Sequence, residues 1–124
     1  MKPRITDSEL AVMRVLWRAG RPLSYTEIRT ALEAQTDWKK STIQTLVTRL
    51  RDKGFITTHV HHVTLYAPAL SEQAHSASEG KSLVDKLFDG DASRLVASLY
   101  SSGNLTENDI EELRQLFKVE GGQP

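Results

Sequence analysis

Lys39-Lys40-Ser41-Thr42-Ile43-Gln44-Thr45-Leu46-Val47-Thr48-Arg49-Leu50-Arg51-Asp52-Lys53-Gly54 sets apolar side chains at 43, 46, 47 and 50. That i, i+3, i+4, i+7 spacing puts them on one face of a helix. Ser41 is a good N-cap and Gly54 a good C-terminal stop, so the spacing predicts a helix with both ends marked. The opposite face differs from an ordinary solvated surface. Ser41, Thr42, Gln44, Thr45 and Thr48 are short hydrogen-bonding groups, Lys39, Lys40, Arg49, Arg51 and Lys53 surround them, and no carboxylate interrupts the run until Asp52. Such a face can approach a polyanion and read base edges in a major groove, Gln pairing bidentately with adenine and a Thr methyl meeting that of thymine. The cations are assigned to phosphate or base-edge contacts and the short polar residues to the groove. This is a candidate DNA recognition helix.

Upstream, Thr6-Asp7-Ser8-Glu9 has capping-box spacing, and Leu10, Met13, Leu16 and Trp17 follow at helical intervals up to Gly20. Ser24 with Glu27 repeats the capping pattern and opens a short helix with Ile28, Ala31 and Leu32 facing inward; Thr36-Asp37-Trp38 connects it to the basic helix. Downstream of Gly54 the period falls from 3.6 to 2. Phe55–Val60 and Val63–Ala67 are rich in β-branched and aromatic residues, as strands require, and the gap at His61-His62 suits a tight hairpin although it lacks Gly or Asn. Three helices followed by a hairpin predict a winged helix, with the second and third helices as the helix-turn-helix and the hairpin as the wing. Trp17 and Trp38 are read as packing residues.

Pro68 and Ser71 mark a boundary between a winged-helix domain, 1–70, and a helical region, 71–124. Ser71–Ser82 reads as a polar linking helix weakened by Gly80. Leu83, Val84, Leu87 and Phe88 then form an apolar stripe that Gly90 interrupts, and Leu95, Val96, Leu99 and Tyr100 repeat it. A last helix opens at Leu105-Thr106 with Leu105 and Ile110 placed as a hydrophobic staple, and Ile110, Leu113, Leu116 and Phe117 continue its apolar face. Gly121-Gly122-Gln123-Pro124 reads as a frayed tail. About 50 residues in short, one-sided helices cannot readily make their own core. Helix-turn-helix units usually read two half-sites as dimers, so residues 83–117 are assigned to two-fold dimerisation. The expected fold class is mainly α with a small β-hairpin.

The net charge is zero, yet residues 1–70 hold eleven Lys/Arg against six Asp/Glu and residues 71–124 hold five against ten. The basic excess coincides with the candidate recognition helix, so the N-terminal part can attract phosphate and the C-terminal part cannot. With no cysteine there is no disulfide, thiolate metal site or cysteine nucleophile, and a reducing cytoplasm is the expected setting. No signal segment or membrane insertion is expected. No glycine-flanked nucleophile, phosphate loop or paired-His motif is present, so no enzyme and no cofactor are expected. His59, His61 and His62 form the one cluster suited to a metal, but no carboxylate or thiolate joins them, and no metal is assigned. His61 and His62 are instead placed at the wing tip near phosphate, where protonation strengthens DNA binding as pH falls.

The chain resembles the penicillinase-repressor family of bacterial regulators (BlaI, MecI and the copper repressor CopY). The likeness is carried by Thr6-Asp7-Ser8-Glu9 through Val15-Leu16-Trp17, Asp37-Trp38, Ser41–Leu46, Arg49-Leu50, Lys53-Gly54, Tyr66 and Ile110-Glu111-Glu112-Leu113-Arg114, and it covers roughly residues 4–118. It implies a winged-helix repressor, dimeric through its C-terminal helices, on a dyad operator. It also implies release by a membrane sensor protease that cuts in the helix matching Leu95–Tyr100, near Ser98-Leu99. The β-lactamase-type repressors carry Asn-Phe there, and the copper-sensing members carry Cys-x-Cys motifs that this cysteine-free chain lacks.

The expected function is that of a dimeric repressor occupying a pseudo-palindromic operator, with operator DNA, a second copy and a sensor protease as partners. The alternatives are a winged-helix protein–protein interaction module without DNA binding and a metal- or ligand-responsive repressor.

Overall fold

The computed structural model describes residues 3–120, without the side chains of residues 119 and 120. The tail read at 121–124 therefore lies outside the described residues. Two compact units are present, 1–76 and 77–124.

In the first unit, Thr6 caps α1 (Asp7–Ala19): its hydroxyl accepts from the Glu9 N–H at 3.2 Å, and its own N–H donates to Glu9 Oε1 at 2.9 Å. The helix closes on Gly20 at φ +67°, a left-handed position that glycine adopts without steric cost. The chain then forms β1 (Leu23–Ser24) and enters α2 (Tyr25–Glu33) through the Ser24–Glu27 capping box. Arg21 seconds that cap, its guanidinium lying 2.7 Å from Glu27 Oε2, and with the Ser24 N–H it holds the Glu27 carboxyl down at about 2.

Thr36 shapes the connector. Its hydroxyl donates to the Leu32 carbonyl and accepts from the Trp38 N–H, at 2.9 and 3.2 Å. The backbone stays extended through Lys39, and α3 (Lys40–Asp52) follows. Its N-cap is Lys39, not Ser41 as the sequence suggests. Because the extended segment ends two residues earlier, Ser41 falls inside the first turn and its hydroxyl cannot cap. The other end behaves as read. Gly54 takes φ +87°, the Gly54 N–H donates to the Arg51 carbonyl at 3.0 Å, and the Phe55 N–H donates to the Leu50 carbonyl at 2.9 Å. This double closure is a Schellman motif.

β2 (Ile56–His61) and β3 (Val63–Pro68) pair antiparallel, with Thr58 opposite Tyr66 and His61 opposite Val63. His62 turns the hairpin at φ +36° in place of the missing Gly or Asn. β1 adds to the far edge of β3, Leu23 opposite Tyr66, giving the order β1-β3-β2. A two-residue strand carries no periodicity, so the sequence reading lacks it. The core lies between α1, α2, α3 and the base of the sheet, where Val12, Met13, Ile28, Leu32, Ile43 and Leu50 are fully buried. Trp17 and Trp38 pack half-buried against that core, and Trp17 Nε1 donates to the Leu70 carbonyl at 3.0 Å.

α4 (Glu72–Phe88) runs unbroken through Gly80, so the linking helix and the first apolar stripe are one element. Ser71 starts it, accepting from the Ala74 N–H at 3.0 Å, and a single interior glycine costs only about 1 kcal/mol against alanine. Asp89 and Gly90, both at positive φ, end it. α5 (Ala92–Ser101) is capped by Asp91, and α6 (Glu107–Glu120) by Thr106, whose hydroxyl accepts from the Asp109 N–H at 3.0 Å. No described side chain from 77 to 118 is buried. No helix among the described residues is long and apolar enough to cross a membrane.

Candidate nucleic-acid interface

α3 is held from beneath by Ile43, Leu46, Val47 and Leu50, and this burial fixes what its outer face presents. Ser41, Thr42, Gln44, Thr45, Arg49 and Arg51 are exposed and Thr48 is half-buried beside them. Thr45 returns its hydroxyl proton to the Ser41 carbonyl at 2.9 Å, leaving its methyl and a lone pair outward, and Gln44 lies 3.4 Å from Thr48 Oγ1. Both contacts are local to the helix and exposed, so a partner on this face can compete for them. Lys39 and Lys40 are exposed at the start of the helix. Lys39 offers no side-chain acceptor as N-cap, so first-turn N–H groups are left for water or an anion, a setting that favours phosphate. Arg51 makes only a 3.4 Å surface pair with Asp52, which contributes little and does not hold its charge from other partners.

Tyr25 joins this group although the sequence reading omits it. Its hydroxyl donates to the Lys40 carbonyl at 3.1 Å and it borders a shallow depression with Lys39, Lys40, Ser41 and Gln44. Burial raises its phenol above the ordinary value. Its sequence signal is a lone aromatic at the first position of α2, next to a polar cap.

Lys53 is the exception among the cations. Its ammonium lies 2.7 Å from Glu9 Oε1 and 2.8 Å from the Arg4 carbonyl, on the side of α1. Burial works to raise the Glu9 carboxyl, but Lys53 and the Thr6 N–H outweigh it and hold the group below the ordinary carboxylate range. A group whose acidity is strengthened by folding stabilises the fold above its unfolded value and loses that contribution as pH falls through the folded one. The thermal midpoint of the first unit should therefore drop between about pH 5 and pH 3, and drop less in Glu9→Gln, as melts across that range will read.

On the wing, His59 and His61 share one face with Val63 and Leu65 by register, and all three wing histidines are exposed. Among the described residues no group of three or more carboxylate or imidazole side chains could hold a metal. Val60 and Val63, 79% and 58% exposed, flank the tip beside His61 and His62. Their β-branched pattern predicts a strand, and strand propensity says nothing about where the sheet outruns its core.

In the second unit, Leu83, Leu87, Val96, Leu99, Tyr100, Leu116 and Phe117 are exposed, while Phe88, Leu95, Ile110 and Leu113 are half-buried. Val96, Tyr100, Leu105, Ile110, Leu113 and Phe117 line a shallow apolar groove of α5 and α6. Ser98, also exposed, lies with Leu99 in the second half of α5.

A family model described as Penicillinase repressor matches residues 5–119. The chain is 28% identical over 117 residues to the penicillinase repressor of Bacillus licheniformis, covering 94% of this chain and 91% of that protein. It is 30% identical over 114 residues to the methicillin resistance regulatory protein MecI of Staphylococcus aureus (strain N315), covering 91% and 92%. In structure it is similar to the Bacillus licheniformis BlaI monomeric form, solved in solution in complex with the blaP half-operator. That match has a TM-score of 0.52 and 34% identity, covering 59% of this chain and 89% of that one.

Proposed function

The chain belongs to the penicillinase repressor family, and from that premise we propose that it is a DNA-binding transcriptional repressor acting as a two-fold dimer on a pseudo-palindromic operator. The observation that carries the reading is the outer face of α3, where Ser41, Gln44, Thr45 and Thr48 are ringed by Lys39, Lys40, Arg49 and Arg51 on a helix locked to the core. Lys39, Lys40, Arg49 and Arg51 hold phosphates, and Thr42, with the short polar groups, meets base edges. His61 and His62 add a wing contact. A protein–protein scaffold would have no need of this concentration of cations around short hydrogen-bonding side chains.

The second copy supplies what the C-terminal helices lack. Among the described residues Leu83, Leu87, Val96, Leu99, Tyr100, Leu116 and Phe117 of these stripes are exposed, and a self-complementary pairing would bury them and place two recognition helices on one duplex. Release by proteolysis would act at Ser98-Leu99 and would require a membrane sensor protease as partner. That bond lies within α5, so the helix must unwind there before an extended substrate can enter a protease.

Gln44→Ala or Thr45→Ala should weaken binding to a selected operator by about 1–3 kcal/mol and leave binding to random DNA nearly unchanged. Arg51→Ala should weaken both and reduce the slope of log affinity against log salt by about 0.9. Fluorescence anisotropy with matched and scrambled duplexes across a salt series reads all three variants, and equal loss on both duplexes in the Gln44 variant would end its base-reading role.

A further inference from the structure

We propose that the ion pair of Glu9 and Lys53 is a positioning device for the recognition helix, pinning the C-terminal end of α3 to the first turn of α1 so that Gln44 and Thr45 meet the intended base edges. The role rests on the DNA-binding reading above. Glu9 is 1% exposed, the one charged residue buried in the core among the described residues. Its Oε1 accepts from both Lys53 Nζ and the Thr6 N–H, while Oε2 is buried with no hydrogen-bond partner. A buried, half-satisfied carboxylate opposes folding unless a cation stays beside it, so Lys53 is held where it is. A neutral Gln would complete the same capping box without a buried charge. Any carboxylate on a DNA-binding unit also works against its attraction for phosphate. Neither capping nor DNA attraction accounts for the charge, whereas registry between elements is the best-attested use of a buried ion pair. The pair joins residues 44 apart in sequence, and the same ammonium also fastens the Arg4 carbonyl, so three segments meet at one nitrogen.

The test uses the full chain, a duplex that the wild type enriches from a random-sequence pool, and a scrambled duplex of the same composition. Lys53→Met and Glu9→Gln should each lower the preference for the enriched duplex by about tenfold, measured well below each variant's melting temperature. Lys53→Arg should restore most of it. Affinity for the scrambled duplex and its salt slope should stay at the wild-type value in Lys53→Met. The sign in Glu9→Gln is decisive, because removal of a negative charge would by itself tighten DNA binding. Tighter binding to both duplexes in Glu9→Gln, or a salt slope lowered by about 0.9 in Lys53→Met, would overturn the proposal and return Lys53 to phosphate contact. Enrichment by the wild type with unchanged preference in both variants defeats the positioning role alone. Failure of the wild type to enrich any duplex defeats the DNA reading and this role with it.

Discussion

Replacement of Phe117 by aspartate is expected to leave a monomer and to weaken operator binding by at least about a hundredfold. Phe117 is 65% exposed, and Tyr100 and Leu87 are nearly as open. An aromatic of this size contributes most when both of its faces leave water, and a carboxylate forced into the same dry contact would cost several kcal/mol. The loss on DNA exceeds the loss of any single base contact because two linked reading heads act at high effective concentration, and separate ones do not. Sedimentation of wild type and variant at micromolar concentration, followed by titration of a dyad duplex and of one half of it, checks the chain of reasoning. The variant should bind the half-site like the wild type and gain nothing from the dyad. A wild-type chain that sediments as a monomer would remove the dimer from the reading.

Leu50→Ala should cost about 2–5 kcal/mol, a large part of the 5–15 kcal/mol that holds a typical domain together, and lower the melting temperature by roughly 10–30 °C. Leu50 is fully buried at the end of α3's inner face, and its carbonyl also receives the Phe55 N–H that closes the helix. A cavity there loosens the recognition helix and the entry to the wing together. Leu50→Met keeps the volume and should cost less than about 1.5 kcal/mol. Thermal melts of both variants separate the cavity from the mere change of side chain. DNA binding should follow the folded fraction at each temperature.

What local chemistry specifies was legible in the residues alone. The boxes Thr6 to Glu9 and Ser24 to Glu27 join groups three residues apart, and the inner face of α3 follows from spacing within one helix. Misreadings arose where a distant or weak contact decides. Ser41 looked like a cap because Thr36's hold on the preceding turn is not visible in a helix pattern. Gly80 reads as a weak point between a linking helix and the first apolar stripe, because propensity without its neighbours overstates one glycine, and α4 runs through it. β1 exists only through Tyr66 and Leu65 across the sheet. The ion pair of Lys53 is not visible in the helix pattern, because its carboxylate partner lies in another helix.

The helices after residue 77 expose apolar side chains in the single chain, and if a second copy covers them, as proposed, the protein would be sensitive to its own dilution. When assembly is what shields a segment, the midpoint of its melting climbs with protein concentration, and the free chain presents an open, poorly protected end. A cell holding few copies would carry more half-shielded chains, which degrading enzymes reach first. Scarcity would then hasten clearance while abundance slowed it. Such a regulator would carry a threshold in its own stability, set by how many copies are present and independent of any signal.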